Sequence, residues 1–153
     1  MRRLLLPVAL LVAGCGGHDG SGVFERGQAG LARVTTGTIE LHVTVDALVP
    51  IERTATLQAS EVPLARLHLA RWAKHPRRYD CGASLECARA DLDVASAARE
   101  LEPVLPSLPF DPASVDSAKI EIAVGRNDGL PRRARLEGDL HGVQFTVDLE
   151  VAS

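Results

Sequence analysis

The sequence predicts an α+β domain: a curved antiparallel sheet of about six strands, forming a half-barrel, with two helices packed on its concave face. Three observations carry that expectation. Six segments can be read with apolar and polar residues in alternation, the period of a strand that is dry on one side and wet on the other. Two stretches instead repeat their apolar residues at helical spacing, weakly near the start and clearly after the middle of the chain. The last three strands are separated by Asn127-Asp128-Gly129 and His141-Gly142, which supply the positive-φ residues of tight hairpins. Composition agrees with one globular domain, since of 153 residues 46% are hydrophobic, 24% charged and 3% aromatic. A formal net charge of −3 and only five aromatics (Phe24, Trp72, Tyr79, Phe110, Phe145) leave neither the cationic surface nor the stacking platform that nucleic-acid binding needs.

The chain opens with two arginines, Arg2 and Arg3, and an apolar stretch over 4–13 that is interrupted by Pro7 and followed by Gly14 and Cys15. A positive start, a short apolar run and small residues are the order of a secretory signal, and the run is too short to span a bilayer. Val12-Ala13-Gly14-Cys15 resembles the lipobox of bacterial lipoproteins, in which the signal is cut before the cysteine and the thiol is diacylated. That resemblance implies a diacylglyceryl anchor on Cys15 and a place on the extracytoplasmic face of the cell membrane, in the envelope. Residues 1–14 therefore read as the signal peptide, 15–22 as a flexible tether rich in glycine, and 23–153 as the folded domain. Such a tether could hold the domain up to ~25 Å from the lipid surface.

Within the domain, residues 23–34 place Val23, Phe24, Leu31 and Val34 on one side of a short helix that Gly27 and Gly30 weaken. The segment 38–46 alternates strictly, with Ile39, Leu41, Val43 and Val45 opposite Glu40, His42 and Thr44, and 53–60 alternates again through Ala55, Leu57 and Ala59. A hairpin is expected there. Residues 64–72, read with Ala65, Leu67 and Leu69 inward and Arg66, His68 and Ala70 outward, make a third strand that Pro63 introduces. All period is lost from Lys74 to Cys81, so a loop running on to Cys87 is expected. From Asp91 onward Leu92, Val94, Ala97, Ala98, Leu101 and Leu105 recur at helical spacing, with Asp91 or Asp93 as the N-cap. Pro103, Pro106, Pro109 and Pro112 end that helix and force an extended crossing segment. Strands return at 118–125, 132–140 and 143–151.

Cys81 and Cys87, with five residues between them and in a compartment outside the reducing cytosol, are expected to form a structural disulfide worth roughly 2–3 kcal/mol. A redox role would need Cys-x-x-Cys spacing. His18, His42, His68, His75 and His141 fall at none of the spacings of a metal site, so no metal is expected, although His42 and His68 would share the wet face of the sheet. There is no phosphate-cradling glycine loop, no nucleophile elbow and no zinc-protease motif. Glu40, Asp46, Asp148 and Glu150 alternate outward as solubilising residues. No catalytic constellation is found, and neither an enzymatic activity nor a cofactor is expected.

A lipobox, a helix, an amphipathic meander beginning Thr36-Gly-Thr-Ile-Glu-Leu-His-Val-Thr-Val45 and a late strand pair around Gly129-Leu-Pro-Arg-Arg-Ala-Arg-Leu136 together resemble the LppX/LprG family of actinobacterial lipoproteins and, more distantly, the LolA/LolB half-barrels. The resemblance implies a half-open barrel, partly covered by helices, that encloses acyl chains of a lipid or lipoprotein in transit without covalent chemistry. Leu41, Val43, Leu57, Leu67, Leu69, Ile122, Val124, Leu136, Phe145 and Val147 would then line the concavity. Two basic groups, Arg66, Arg71, Arg77 and Arg78 on one side and Arg132 and Arg133 on the other, would meet anionic head groups at its rim. A membrane lipid and an envelope protein are the partners so implied. The competing expectation is a small envelope module whose helix fills the sheet and whose polar face binds another protein.

Overall fold

Residues 19–102 and 108–152 are described by the structure, a computed structural model. The expected signal peptide over 1–14, Cys15, His18 and the residues around Pro103, Leu105 and Pro106 lie outside them. The architecture is α+β, with seven antiparallel strands in one open sheet and three α-helices among the described residues.

The first helix, α1 (Ser21–Leu31), begins inside the segment expected to be free tether. Just before it, Asp19 accepts from the Ser21 amide at 2.9 Å and forms an isolated bridge with Arg77. The Gly20 amide donates to the Pro76 carbonyl at 3.1 Å, and a Cβ on Gly20 would stand 2.8 Å from the Arg77 backbone. Residues 19–22, expected in the tether, are therefore part of the domain.

Strands β1 (Thr38–Val45) and β2 (Ile51–Gln58) form the expected hairpin. The expected third strand over 64–72 is absent. In its place run two 3-10 turns, Ala59–Glu61 and Leu64–Arg66, and a four-residue helix, α2 (Leu69–Trp72). Burial gives the reason: Leu64 and Leu67, then Leu69 and Trp72, are buried, so the apolar period is about three and not two.

Two strands stand where a loop was expected, β3 (Ala73–Tyr79) and β4 (Leu85–Leu92), which raises the count from about six to seven. β3 is an edge strand, exposed on both faces and interrupted by a register shift between Lys74 and Arg77, so it has no dry side to create alternation. Pro76 is tolerated there because an edge leaves one row of amides unpaired. Cys81 and Cys87 are bonded, with Cα atoms 6.1 Å apart, and staple this hairpin rather than the approach to the next helix.

Helix α3 (Val94–Leu101) is capped by Asp93, whose carboxylate accepts from the Ser96 amide at 3.3 Å. Strands β5 (Ser117–Gly125), β6 (Pro131–Leu140) and β7 (Val143–Ala152) follow as a meander. Sheet order is β2-β1-β7-β6-β5-β4-β3, so the first and last strands are neighbours and the two edge strands are not paired with each other. Pairing puts Leu41 opposite Leu149, Val43 opposite Val147, Leu136 opposite Ile120 and Ala134 opposite Ile122, all on the side the helices cover. Helix α1 lies across β3 to β6. The core joins this sheet face to Val23 and Phe24 of α1, to Leu69 and Trp72, and to Leu101 of α3.

Candidate functional site

An apolar cavity of about 70 Å³ remains between the helical layer and the sheet. Of the residues expected to line it, Leu57, Leu67, Leu69, Ile122, Val124 and Leu136 do so. Leu31, Ile39, Leu64, Trp72, Leu149 and Val151 are among the other residues of its wall, none of them expected there from sequence. Leu149 and Val151 carry the same alternation as Phe145 and Val147 and were recoverable from it; Leu64 and Trp72 were hidden by the reading of 64–72 as a strand. Phe145 and Val147 instead border a second void of about 30 Å³ with Val94, Ala97 and Phe110, and the Phe110 and Phe145 rings lie 4.8 Å apart. Leu41 and Val43 are buried at 3% and 1% exposure and packed, bordering neither void.

The roof of the larger cavity is held by one carboxylate. Glu100 of α3 accepts from the His68 backbone amide at 2.8 Å, pairs with His68 Nδ1 at 2.7 Å and accepts from Trp72 Nε1 at 2.6 Å. Arg71 stands 3.9 Å away. Burial alone would raise the Glu100 carboxyl, but the hydrogen bonds from His68 and Trp72 outweigh it and hold the group below its ordinary value. A second tie runs from the Ala70 amide to Gln28 Oε1 of α1 at 3.0 Å. His68 thus belongs to the helical layer, while His42 faces Glu52 at 3.4 Å on the polar face, so the two histidines do not share a face as expected.

The basic groups divide. Arg66 and Arg71 lie on the short helical pieces. Arg77 is opposite Arg89 and Arg78 opposite Ala88, which turns their side chains to opposite faces of the sheet. Arg132 is paired with Asp128 at the β5–β6 turn, and Arg133 borders the apolar cavity. Arg26 joins that end, bonded to Glu86 and, at 3.1 Å, to the Arg126 carbonyl. No single cationic rim results.

The uncovered face of the sheet is a polar trough of about 760 Å³ reaching from Tyr79 to Thr56. Its charges form a cross-strand row in which Arg89, Glu121, Arg135, Asp148 and His42 follow one another. Arg135 grips Asp148 through Nε at 2.6 Å and Nη2 at 3.1 Å, which raises its pKa above the ordinary arginine value. Arg89 stacks over Tyr79 at 4.3 Å, and the Tyr79 hydroxyl is pushed up by burial and by Glu121. These groups neutralise one another across the strands. Among the described residues no group of three His, Cys, Asp or Glu is placed to hold a metal ion. No helix of the described residues is long and apolar enough to cross a membrane. No protein-family model and no curated protein matches the chain.

Proposed function

We propose that the chain is a non-catalytic envelope lipoprotein, held at the membrane by acylated Cys15, whose domain binds an acyl chain between its helical layer and its sheet. One observation carries the reading: the cavity wall is apolar and is contributed by the sheet, α1, α2, α3 and the 3-10 segment together, so a chain lying there meets no polar competitor. At about 70 Å³ the cavity is well below the ~300–1,000 Å³ of formed ligand sites, so binding requires the roof to lift. The roof is built for that, because residues 59–72 consist of three short pieces joined by extended residues and not of one continuous helix. The likeness to the LppX/LprG half-barrels is part of this proposal. The small volume favours one alternative, a closed envelope module that docks another protein through the polar trough.

Trp72 is the single tryptophan and lines the cavity, which makes the test direct. Titration with a brominated fatty acid should quench Trp72 saturably in the wild type and not in Leu67→Arg, with native mass spectrometry of protein from a bacterial host showing a co-purifying lipid. Unquenched Trp72 and uniformly ligand-free protein would leave the closed module as the function.

A further inference from the structure

The β1–β2 turn carries the largest apolar exposure among the described residues. Leu48 is 105% exposed, Val49 78% and Ile51 37%, on a hairpin whose next apolar residues inward, Val45 and Val43, are buried. These side chains are not needed by the core, and Pro50 fixes the turn without an amide to satisfy. Contiguous apolar exposure of this kind marks a surface that is covered by something.

We propose that this turn is a second membrane contact, with Leu48 and Val49 entering the interfacial region of the bilayer to which Cys15 is anchored. This contact follows from the reach of the chain and rests on the proposed Cys15 anchor but not on the apolar cavity. Asp19 is bridged to Arg77 on edge strand β3. Four residues of chain from the acylated cysteine extend at most ~14 Å. The β3 edge is therefore held close to the lipid and not some ~25 Å from it. Leu48 and Val49 extend from the opposite edge, where β2 ends the sheet order. Six strand spacings of ~4.8 Å separate the edges, about 29 Å, so one rotation about the anchored edge lays the sheet's width along the membrane with the turn against it. Asp46, Glu52 and Arg53 flank the turn with one negative charge in excess, so entry is driven by apolar transfer and not by attraction to anionic lipid.

The acylated full chain is the material for the test. Cys81 and Cys87 are oxidised and Cys15 carries the lipid, so Leu48→Cys offers one free thiol for an environment-sensitive fluorophore, and Thr54→Cys on the exposed part of β2 provides the control. In vesicles of phosphatidylcholine and phosphatidylglycerol in equal parts, emission at 48 should be several-fold brighter and blue-shifted relative to 54, quenched by lipids spin-labelled on the acyl chain, and reduced by Val49→Asp. Emission at 48 as wet as at 54 in an acylated protein overturns the contact. Emission at 48 that rises with protein density at constant lipid overturns it in favour of a second copy. An intact mass without acyl groups overturns the anchor on which the inference rests, and is read independently of the fluorescence.

Discussion

Replacing Glu100 by alanine tests the structure where the helical layer is tied together. In the wild type its carboxylate serves three donors, the His68 amide, the His68 ring and the Trp72 indole, with distances of 2.6–2.8 Å. Its side chain is 18% exposed and Trp72 is 2% exposed, so the indole N–H left behind cannot turn freely to water. An unsatisfied buried donor costs about 1–3 kcal/mol; counting the indole and the amide and discounting for partial exposure gives ~3 kcal/mol for Glu100→Ala. For a domain of this size that is a fall in Tm of ~10 °C. Glu100→Gln adds a pH arm. The folded-state pKa of Glu100 lies below its ordinary value of 4.5, so its contribution is whole above the unfolded value and is lost as the pH falls through the depressed folded one. The difference in stability between wild type and Glu100→Gln should therefore shrink as the pH is lowered from neutrality through that window, measured by guanidinium unfolding. A Glu100→Ala protein within ~0.5 kcal/mol of wild type, or a difference that does not vary with pH, would refute the reasoning.

Two further outcomes are expected. Cys81→Ser with Cys87→Ser removes a staple closing a loop of sequence separation 6 and should lower stability by roughly 2–3 kcal/mol, an effect that dithiothreitol reproduces in the wild type and does not add to in the variant. Gly30→Ala should destabilise by ~1–2 kcal/mol although alanine is the better helix former, because the new Cβ meets the Gly129 carbonyl and stands 2.9 Å from Pro131 Cδ; a rise in Tm would show that α1 does not approach the β5–β6 turn so closely.

Legibility followed burial. β1, β5, β6 and β7 each have one covered face, and their alternation fixed both existence and sidedness; the strand at 38–45 was recovered almost to the residue. β3 buries none of its residues fully although α1 touches it, and β4 buries Ala88 and Ala90 on the covered side and Cys87 on the other. Neither condition produces a period. Alanine is frequent in β4 because α1 presses on it, and alanine carries little strand signal. For α3, the Asp93 cap was visible as one of two candidates, since only Asp93 stands three residues before Ser96 with its amide free. The short roof defeated the reading because Leu67 and Leu69 fit an alternating pattern as well as a turn of period three, and only Leu64 and Trp72 break the tie.

The lining residues separate along the same division, and the separation says where an acyl chain would enter. One part of the covered face is plugged: Phe145 and Val147 pack beneath Val94, Ala97 and Phe110 with a void of only about 30 Å³. Over the other part, where Leu57, Ile122 and Val124 face Leu67 and Leu69, the roof is made of pieces too short to be stable without packing, and the larger cavity lies there. If the cavity takes up an acyl chain as proposed, opening would be confined to residues 59–72. Between its ends, where the Ala59 amide donates to the Gly37 carbonyl and the Trp72 carbonyl accepts from the Asp93 amide, the segment is tied by Glu100 to His68 and Trp72 and by Gln28 to Ala70, so lifting the roof means breaking those side-chain bonds. It follows that Glu100→Ala, while lowering global stability, should speed fatty-acid quenching of Trp72. A variant that is destabilised yet takes up no ligand faster would separate the latch from the binding site and leave the roof as a purely structural cover.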